Sequence, residues 1–334
     1  MATIKEIAKL ANVSSTTVSR VLNSDDSFSV SEETRNKILS IAKDVGYKTI
    51  VERHNHKKKI VYKIGIIYKQ VIFKDYLDSD FYFSIRKGIE RNCLEYNIEL
   101  VFQLVTDYEK ITQLHGVIIL GNYAKHEIEH FLENIECEHV VIIGICPNDL
   151  KYDSISFQAR IAVTQCLDYL QKLGHQTIGY MGAIQHIETP EDERRDVIYK
   201  RYMKRAGVYD SSIVFIGEPG EKSGYDLMLK AIQSKNIPSA FFIANDPIAI
   251  GALRALNEAK IQVPEDISIV SFDGHPITAF TNPPITTVQI PTEFMGETAI
   301  ELLLERIEKQ RKIAKKVIVP TQLVERDSCR DVSK

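Results

Sequence analysis

A short stretch near the amino terminus carries small polar and basic side chains at a spacing that suits contact with DNA. After Ser14, the residues Ser15, Thr16, Ser19 and Arg20 fall on one side of a predicted helix. Hydroxyls of this kind hydrogen-bond to base edges in the major groove, and an arginine forks onto guanine. The pattern indicates a DNA-reading surface, with a helical hairpin whose hydroxyls are only solvated as the alternative.

Three predicted helices would position this surface. The first ends at Asn12, because asparagine tolerates the left-handed backbone of such a turn. Ser14 caps the second helix and Ser31 caps the third, which Gly46 closes. Their inward faces are mostly apolar: Ile4, Ile7, Ala8, Leu10 and Ala11 in the first, Thr17, Val18, Val21 and Leu22 in the second, and Ile38, Leu39, Ile41, Ala42 and Val45 in the third.

Charge is distributed unevenly along the chain. Residues 1–60 hold eleven Lys and Arg against seven Asp and Glu, a net charge of +4, whereas the whole chain carries −3. A basic terminal segment suits a polyanion, because lysine and arginine that neutralise phosphates release condensed counterions. Residues 48–60 lack apolar periodicity and end in a basic run, which predicts a hinge or linker that orders on the duplex, with a solvated tether as the alternative.

From Ile60 onward, short β-rich runs alternate with helical stretches, which predicts parallel sheets flanked by helices. Two such sheets fit this length, as two lobes of one core over residues 61–334. The predicted strands are Lys63–Tyr68, Ile98–Gln103, Gly116–Leu120 and Val140–Ile145, then Thr177–Met181, Ile213–Phe215, Ala240–Ile243 and Ile267–Phe272, with Ile285–Gln289 and Val317–Leu323 as late extended segments.

Polar side chains directly follow two of these strands. Asp273 follows Phe272, and Asn245 and Asp246 follow a buried run. Because parallel sheets bind ligands at the carboxyl ends of their strands, Asp273 and Asn245 are candidate hydrogen-bond partners for a small ligand. For Asp246 we favour a helix cap over a ligand contact.

Composition and motifs exclude other classes. No apolar run approaches the ~20 residues of a membrane span, and no charged-then-apolar leader is seen, which predicts a cytoplasmic protein. The five cysteines lack metal-ligand spacing and are expected to be reduced structural thiols. Neither a Gly-x-Ser-x-Gly nucleophile motif nor a phosphate-cradling loop is present, so we expect no enzyme and no cofactor. His54 and His56 lack a third ligand and do not predict a metal site.

Residues 3–47 resemble the lactose/galactose repressor family of bacterial regulators. The motifs that carry the resemblance are Val13-Ser14, Thr17-Val18-Ser19-Arg20-Val21-Leu22-Asn23, Val30-Ser31-Glu32-Glu33-Thr34-Arg35 and Gly46-Tyr47. The similarity continues over nearly the whole chain, at Ser156–Ile161, Ser223-Gly224-Tyr225, Ala244–Gly251 and Phe280–Gly296.

This resemblance implies an N-terminal all-α helix-turn-helix domain, over residues 1–47, followed by an α/β two-lobed periplasmic-binding-protein-like core. The chain would cross between the lobes three times and hold a ligand between them. Residues 61–150 and 291–314 would form the first lobe, and residues 151–290 and 315–330 the second. The residues predicted to contact DNA are Thr3, Ser14, Ser15, Thr16, Thr17, Ser19, Arg20, Asn23 and Lys57. Those predicted to contact the effector are Phe81, Tyr82, Arg195, Asn245 and Asp273.

Some of these assignments carry alternatives. Arg195 matches the family position whose guanidinium binds the effector, but the adjacent Arg194 leaves the assignment ambiguous by one residue. Phe81 and Tyr82 lie where the family commonly places aromatics, and packing in the core is an equal alternative for one of them. The linker has neither the proline nor the leucine that the family uses to wedge the minor groove. The chain also lacks tryptophan, and Pro219 stands near the usual aromatic wall of the pocket.

The resemblance therefore implies a dimeric repressor that binds a pseudo-palindromic operator and is released by a galactoside or related sugar. The alternative within regulation is a corepressor-type protein that binds DNA more tightly when loaded with a small molecule or a protein partner. A sugar-transport protein would need an export signal and would lack the helix-turn-helix. A sugar-processing enzyme would need a pair of catalytic carboxylates.

Overall fold

The computed structural model describes residues 4–22, 30–45, 61–68, 76–104, 113–133, 135, 137–184, 190–234 and 236–333. The chain divides into two compact units, Met1–Val61 and Tyr62–Lys334. The predicted linker at 48–60 and the contact residues Thr3, Asn23 and Lys57 lie outside the described residues, as does Gly46.

The first unit contains helices α1 (Ile4–Ala11), α2 (Ser15–Leu22) and α3 (Glu32–Asp44). Asn12 has a φ of +58°, as predicted for the residue that ends α1. Ser14 Oγ accepts the Thr17 amide at 3.0 Å, and Ser31 Oγ accepts the Thr34 amide at 3.3 Å, so both predicted caps are confirmed. The core of the unit is formed by Ile7, Ala8, Ala11, Val18, Val21, Ile38 and Ala42.

Two leucines assigned to this core are instead largely exposed. Leu10 is 58% exposed and Leu39 is 46% exposed. Each lies beside a buried position of its helix, at the margin of the apolar stripe. Three short helices enclose too little volume to cover both margins, because a small domain buries only a modest fraction of its surface.

In the second unit, the strands of the first sheet are β1 (Lys63–Tyr68), β2 (Glu99–Leu104), β3 (Gly116–Leu120), β4 (Val140–Ile143), β5 (Asp153–Phe157) and β11 (Lys316–Val319). Their order in the sheet is β11-β5-β4-β3-β1-β2, and every described pairing is parallel. The helices of this lobe are α4 (Tyr76–Tyr96), α5 (Lys125–Glu133) and α10 (Thr292–Lys309).

The strands of the second sheet are β6 (Ile178–Ala183), β7 (Val214–Gly217), β8 (Ala240–Ile243), β9 (Ser268–Asp273), β10 (Thr286–Gln289) and β12 (Gln322–Val324). Their order in the sheet is β12-β10-β9-β8-β6-β7, and only the β10–β12 pair is antiparallel among the described pairings. The helices around it are α6 (Ala159–Lys172), α7 (Arg195–Arg205), α8 (Glu221–Gln233) and α9 (Asp246–Glu258).

The predicted boundary between the lobes is wrong in two places. β5 and β11 pair with each other in the first sheet, although residues 151–290 and 315–330 were assigned to the second lobe. The predicted segment Val317–Leu323 is two strands, because the chain breaks around Pro320 and passes from one sheet to the other. Proline cannot donate a ladder hydrogen bond, so it favours such a break.

Close helix crossings hold a helix pair in each lobe. A Cβ on Gly251 of α9 would overlap the Glu221 carbonyl oxygen of α8, and a Cβ on Gly224 of α8 would overlap the Ile248 carbonyl oxygen. In the first lobe, a Cβ on Gly88 of α4 would overlap the Glu293 carbonyl oxygen of α10. Only glycine permits backbones to approach this closely.

Candidate functional site

Two predicted effector residues, far apart in sequence, lie within hydrogen-bonding distance of each other. Arg195 begins α7 and Asp273 ends β9, and Arg195 Nη2 donates to Asp273 Oδ1 at 3.0 Å. The second arginine amine, Nη1, donates to the Ala244 carbonyl after β8. Both elements of the pair therefore come from the carboxyl-end side of the second sheet, where open α/β sheets bind ligands.

The packing of Arg195 favours it over Arg194 as the site residue. Its guanidinium carbon lies 4.1 Å from the centroid of the Phe272 ring, in cation–π geometry. Arg194 precedes the helix and pairs with Asp196 at 2.9 Å instead. The side chains of Arg195 and Asp273 are 16% and 17% exposed, so the pair is partly desolvated yet reachable.

Burial also changes the acidity of two carboxyl groups here. Burial raises the pKa of Asp273 to about 7, although the Arg195 guanidinium acts in the opposite direction and the nearby Asp246 adds to the increase. Burial likewise raises the pKa of Asp246 to about 6, against the hydrogen bonds that favour its charged form. The carboxyl groups are therefore poised to titrate at higher pH than an ordinary aspartate.

The predicted role of Asp246 as a helix cap is wrong. Asn245 is the N-cap of α9, and its Oδ1 accepts the Ile248 amide at 2.9 Å. Asp246 is the first residue of the helix and is 1% exposed. Its side chain turns into the protein and accepts hydrogen bonds from β9, β10 and the turn after β9. Asn245 remains a predicted effector contact, although its side-chain oxygen Oδ1 already accepts a hydrogen bond from the helix.

On the first lobe, α4 begins at Tyr76. Phe81 and Tyr82 are half-buried, pack against the main hydrophobic cluster and meet edge to face at a centroid distance of 5.3 Å. This contact shows that both contribute to packing, while their role beside an effector stays a prediction.

Asp80 and His275 form a contact between the lobes that the sequence did not predict. His275 Nε2 lies 2.7 Å from Asp80 Oδ2, although 195 positions separate the two residues. His275 is two residues beyond Asp273, so the same turn carries the candidate effector residue and the contact to α4. The proximity of His275 to Asp273 in sequence was an available signal, but its partner could not be identified without the fold.

In the first unit, α2 presents Ser15, Thr16 and Arg20 as exposed side chains, with Ser19 half-buried. The hydroxyls of Ser14 and Thr17 lie 2.8 Å apart and serve the start of the helix. The outward polar face therefore agrees with the predicted DNA-reading surface, and its individual contacts stay predictions.

The sequence also contains a zinc-hydrolase spacing, His126-Glu127-Ile128-Glu129-His130, which the prediction of a non-enzyme did not take into account. This segment lies on α5, where Glu127 Oε2 accepts the Ala124 amide at 2.8 Å and so closes the helix start. Within the described ranges, no group of three or more His, Cys, Asp or Glu side chains is placed to hold a metal ion. Glu127 of this motif therefore has a structural role at the start of α5.

Comparisons with known proteins agree with this architecture. Residues 3–49 match the lacI family of bacterial regulatory proteins, and residues 167–329 match the periplasmic binding protein-like domain. The transcriptional repressor MelR of Bacillus subtilis (strain 168) is 40% identical over 342 residues, which cover 98% of each chain. The transcriptional regulator GalR of Streptococcus thermophilus is 35% identical over 334 residues, which cover 98% of this chain and 99% of that one.

Solved structures share the fold at low sequence identity. The transcriptional regulator CelR in complex with cellobiose aligns with a TM-score of 0.68 and 23% identity, over 98% of this chain and 100% of that chain. The lac repressor dimer bound to operator and the anti-inducer ONPF aligns with a TM-score of 0.69 and 21% identity, over 98% and 99%.

The helix-turn-helix beside a two-sheet core is the architecture of a class of DNA-binding regulators, and the relatives are transcriptional regulators rather than enzymes. The chain belongs to the LacI family of bacterial transcriptional regulators. The family and fold class predicted from the sequence are therefore confirmed. Among the described helices, none is long and apolar enough to cross a membrane.

Proposed function

We propose that this chain is a dimeric repressor that binds a pseudo-palindromic operator in the cytoplasm and that a galactoside or related small sugar releases it. The Arg195–Asp273 pair at the strand ends carries this proposal. A guanidinium offers paired donors and a carboxylate offers acceptors, which together match vicinal sugar hydroxyls. Phe81, Tyr82 and Asn245 are the proposed further contacts, and the structure of CelR with cellobiose supports a sugar as the ligand class.

Release is a population shift rather than chemistry. The sugar must bind preferentially to the arrangement of lobes in which the DNA-binding domains bind the operator weakly. For a 100-fold loss of operator affinity, this preference is about 2.7 kcal/mol. The corepressor alternative differs only in the direction in which the ligand changes operator affinity, because a corepressor would tighten operator binding.

The primary experiment is a thermal-shift screen of the full-length protein against monosaccharides, galactosides, glucosides and purines. Each hit is then titrated into a complex with an operator duplex selected from random sequences by the protein itself. A galactoside that stabilises the protein and weakens operator binding is the expected result. A ligand that tightens operator binding would instead establish the corepressor alternative.

A substitution tests the role of Arg195 in binding the sugar. Arg195→Lys keeps the charge but removes the planar fork, so we expect an increase of about 10–100-fold in the sugar Kd, with operator binding retained. Arg201→Ala is the matched control, because Arg201 lies on the same helix and pairs only with the exposed acids Glu191 and Asp192 in the described contacts. Equal sugar affinity in wild type and Arg195→Lys would contradict the assignment.

Substitution of Arg20 tests the predicted recognition of operator bases by α2. Arg20→Ala should weaken operator binding by about 1–3 kcal/mol and relax discrimination at one base pair, because a bidentate arginine–guanine contact is lost. The affinity is measured for operators substituted one base pair at a time. Unchanged discrimination at every position would contradict the role.

A further inference from the structure

Asp246 is the first residue of α9 but does not cap this helix. Asn245 supplies the cap of α9, so the helix start does not need the Asp246 carboxylate. A 1% exposed aspartate is nonetheless kept there, and burying a charge is expensive unless its hydrogen bonds are satisfied. The hydrogen bonds of Asp246 therefore indicate its role.

The two carboxylate oxygens of Asp246 join three separate pieces of the second lobe. Oδ1 accepts the Thr287 hydroxyl of β10 at 2.8 Å and also the Ser271 hydroxyl of β9. Oδ2 accepts the His275 backbone amide at 2.6 Å. Thr287 Oγ1 in turn accepts the Gly274 amide at 3.3 Å. Asp246 and Thr287 together therefore bind both amides that follow Asp273.

This turn has a backbone that needs such support. Asp273 has a φ of +109° and Gly274 a φ of +77°, and an aspartate at this φ lies outside the regions that side-chain-bearing residues favour. Gly274 also packs directly against β10, where a Cβ would overlap Gln289 Cα. The conformation therefore depends on contacts from outside the turn.

The turn directs side chains to two different places. At its start, Asp273 reaches Arg195 at 3.0 Å, and at its end His275 reaches Asp80 of α4 at 2.7 Å. His275 Nδ1 accepts the Ile277 amide at 3.0 Å, so Nε2 carries the proton that is donated to Asp80. The orientation of the turn therefore determines both the position of Asp273, a predicted effector contact, and the contact between the lobes.

We propose that Asp246 is a positioning residue for effector binding, which holds the Asp273–His275 turn so that Asp273 faces the sugar and His275 faces Asp80. Asp246 itself does not touch the sugar. The role in sugar binding rests on the function proposed above, whereas the role in holding the turn does not.

Four variants of the full-length protein test this inference. Asp246→Ala removes every hydrogen bond of the carboxylate, and Thr287→Val removes the Gly274 acceptor while keeping the shape of the side chain. Asp246→Asn retains one carbonyl oxygen that can accept the His275 amide. Asp153→Ala is the matched control, because Asp153 is an equally buried strand aspartate that lies in the first sheet.

The first readout needs no ligand. ¹⁵N-histidine NMR reports the tautomer of His275, which we expect to be fixed as Nε2–H in wild type and in Asp153→Ala. In Asp246→Ala and Thr287→Val the signal should move towards an average of tautomers, because the turn no longer holds the ring against Asp80. An unchanged His275 signal in both variants would overturn the inference, and Thr287→Val decides it if Asp246→Ala does not fold.

The second readout is the Kd for galactose, methyl α-galactoside and methyl β-galactoside by calorimetry. We expect an increase of at least about 10-fold in Asp246→Ala, about 3-fold in Asp246→Asn and no change in Asp153→Ala, since a misplaced charged acceptor loses most of its hydrogen bond. Equal affinity in Asp246→Ala and wild type would overturn the role in sugar binding. If wild type binds none of the three sugars, the proposed effector class fails, while the His275 readout still decides whether Asp246 holds the turn.

Discussion

Asp153 joins two arginines and a backbone amide beside the edge strand β11 of the first sheet. Its side chain is fully buried and accepts Arg311 Nη2 at 2.5 Å, Arg306 Nη1 at 3.4 Å and the Lys315 amide at 2.7 Å. Asp153→Ala removes the carboxylate that two largely buried guanidinium groups share, and Arg311 keeps only the longer pair with Glu305 at 3.7 Å. We therefore expect a loss of about 3–5 kcal/mol in the free energy of unfolding. Urea denaturation followed by circular dichroism measures it.

Asp149→Ala is the control for this prediction. Asp149 pairs with Lys316 at 2.9 Å, and both side chains are nearly half exposed, so the pair is screened by water and its loss should cost less than about 1 kcal/mol. Similar losses of unfolding free energy in the two variants would show that burial does not determine how much the Asp153 cluster contributes to stability.

The raised pKa of Asp273 predicts a dependence of stability on pH. An aspartate in the unfolded chain has a pKa of about 3.9, whereas burial raises that of Asp273 to about 7 in the folded protein. The folded state therefore binds more protons between these values, so the free energy of unfolding decreases as the pH rises through them, and the full cost is present above about pH 7. Asp273→Asn cannot ionise and should lose less stability than wild type between pH 5.5 and pH 8.

Melting temperatures of the two proteins across this range test the prediction, because all other titrating groups are common to both. Parallel curves would contradict it. The same substitution should weaken sugar binding, so at pH 8 the Asp273 carboxylate favours function at the expense of stability.

At the residue scale, the sequence was sufficient where a side chain acts through its neighbours in the chain. The caps Ser14 and Ser31 and the turn at Asn12 depend on local geometry, and all three were predicted. Asp246 was misassigned because its partners lie 25 to 41 residues away, and nothing local distinguishes a buried acceptor from a cap.

Among the elements, the crossing of α8 and α9 is set by glycine. Gly251→Ala should lower the free energy of unfolding by about 1–3 kcal/mol, because its Cβ would overlap the Glu221 carbonyl and force the helices apart, which outweighs the better helix propensity of alanine. Thermal or urea unfolding measures this loss. Asn257→Ala, at an exposed position of the same helix, should change stability by no more than about 0.5 kcal/mol. A stabilised Gly251→Ala protein would show that the two helices can separate freely.

Strands with buried apolar runs, such as β3 and β8, were predicted with the bounds that the structure shows. β5 was missed, because Asp153, Ser154 and Ser156 give it the composition of a loop. Asp153 of this strand can be buried because it pairs with Arg306 of α10 and with Arg311, which follows α10. Periodicity detects elements that are apolar by themselves, and it fails for a strand whose polar residues find their partners in the folded protein.

At the scale of the whole molecule, the proposed DNA-binding residues and the proposed sugar-binding residues lie in two different compact units. The first 60 residues carry a net charge of +4 and the remainder −7. The basic unit suits the phosphates of DNA, whereas the acidic unit contributes no general affinity for them. Sugar and operator are therefore expected to influence each other through the shared fold and not by competing for one surface.

Thermodynamic reciprocity turns this separation into a test. If the sugar lowers operator affinity 100-fold, the operator must lower sugar affinity by the same factor, about 2.7 kcal/mol. A fragment of residues 62–334 should bind the sugar within about 3-fold of the DNA-free full chain, and added operator should leave its Kd unchanged because it lacks the helix-turn-helix. Calorimetric titration of both proteins, with and without operator duplex, measures the four constants. If operator changes the sugar affinity of the fragment as well, the duplex acts on the core directly, and the coupling does not pass through the DNA-binding unit.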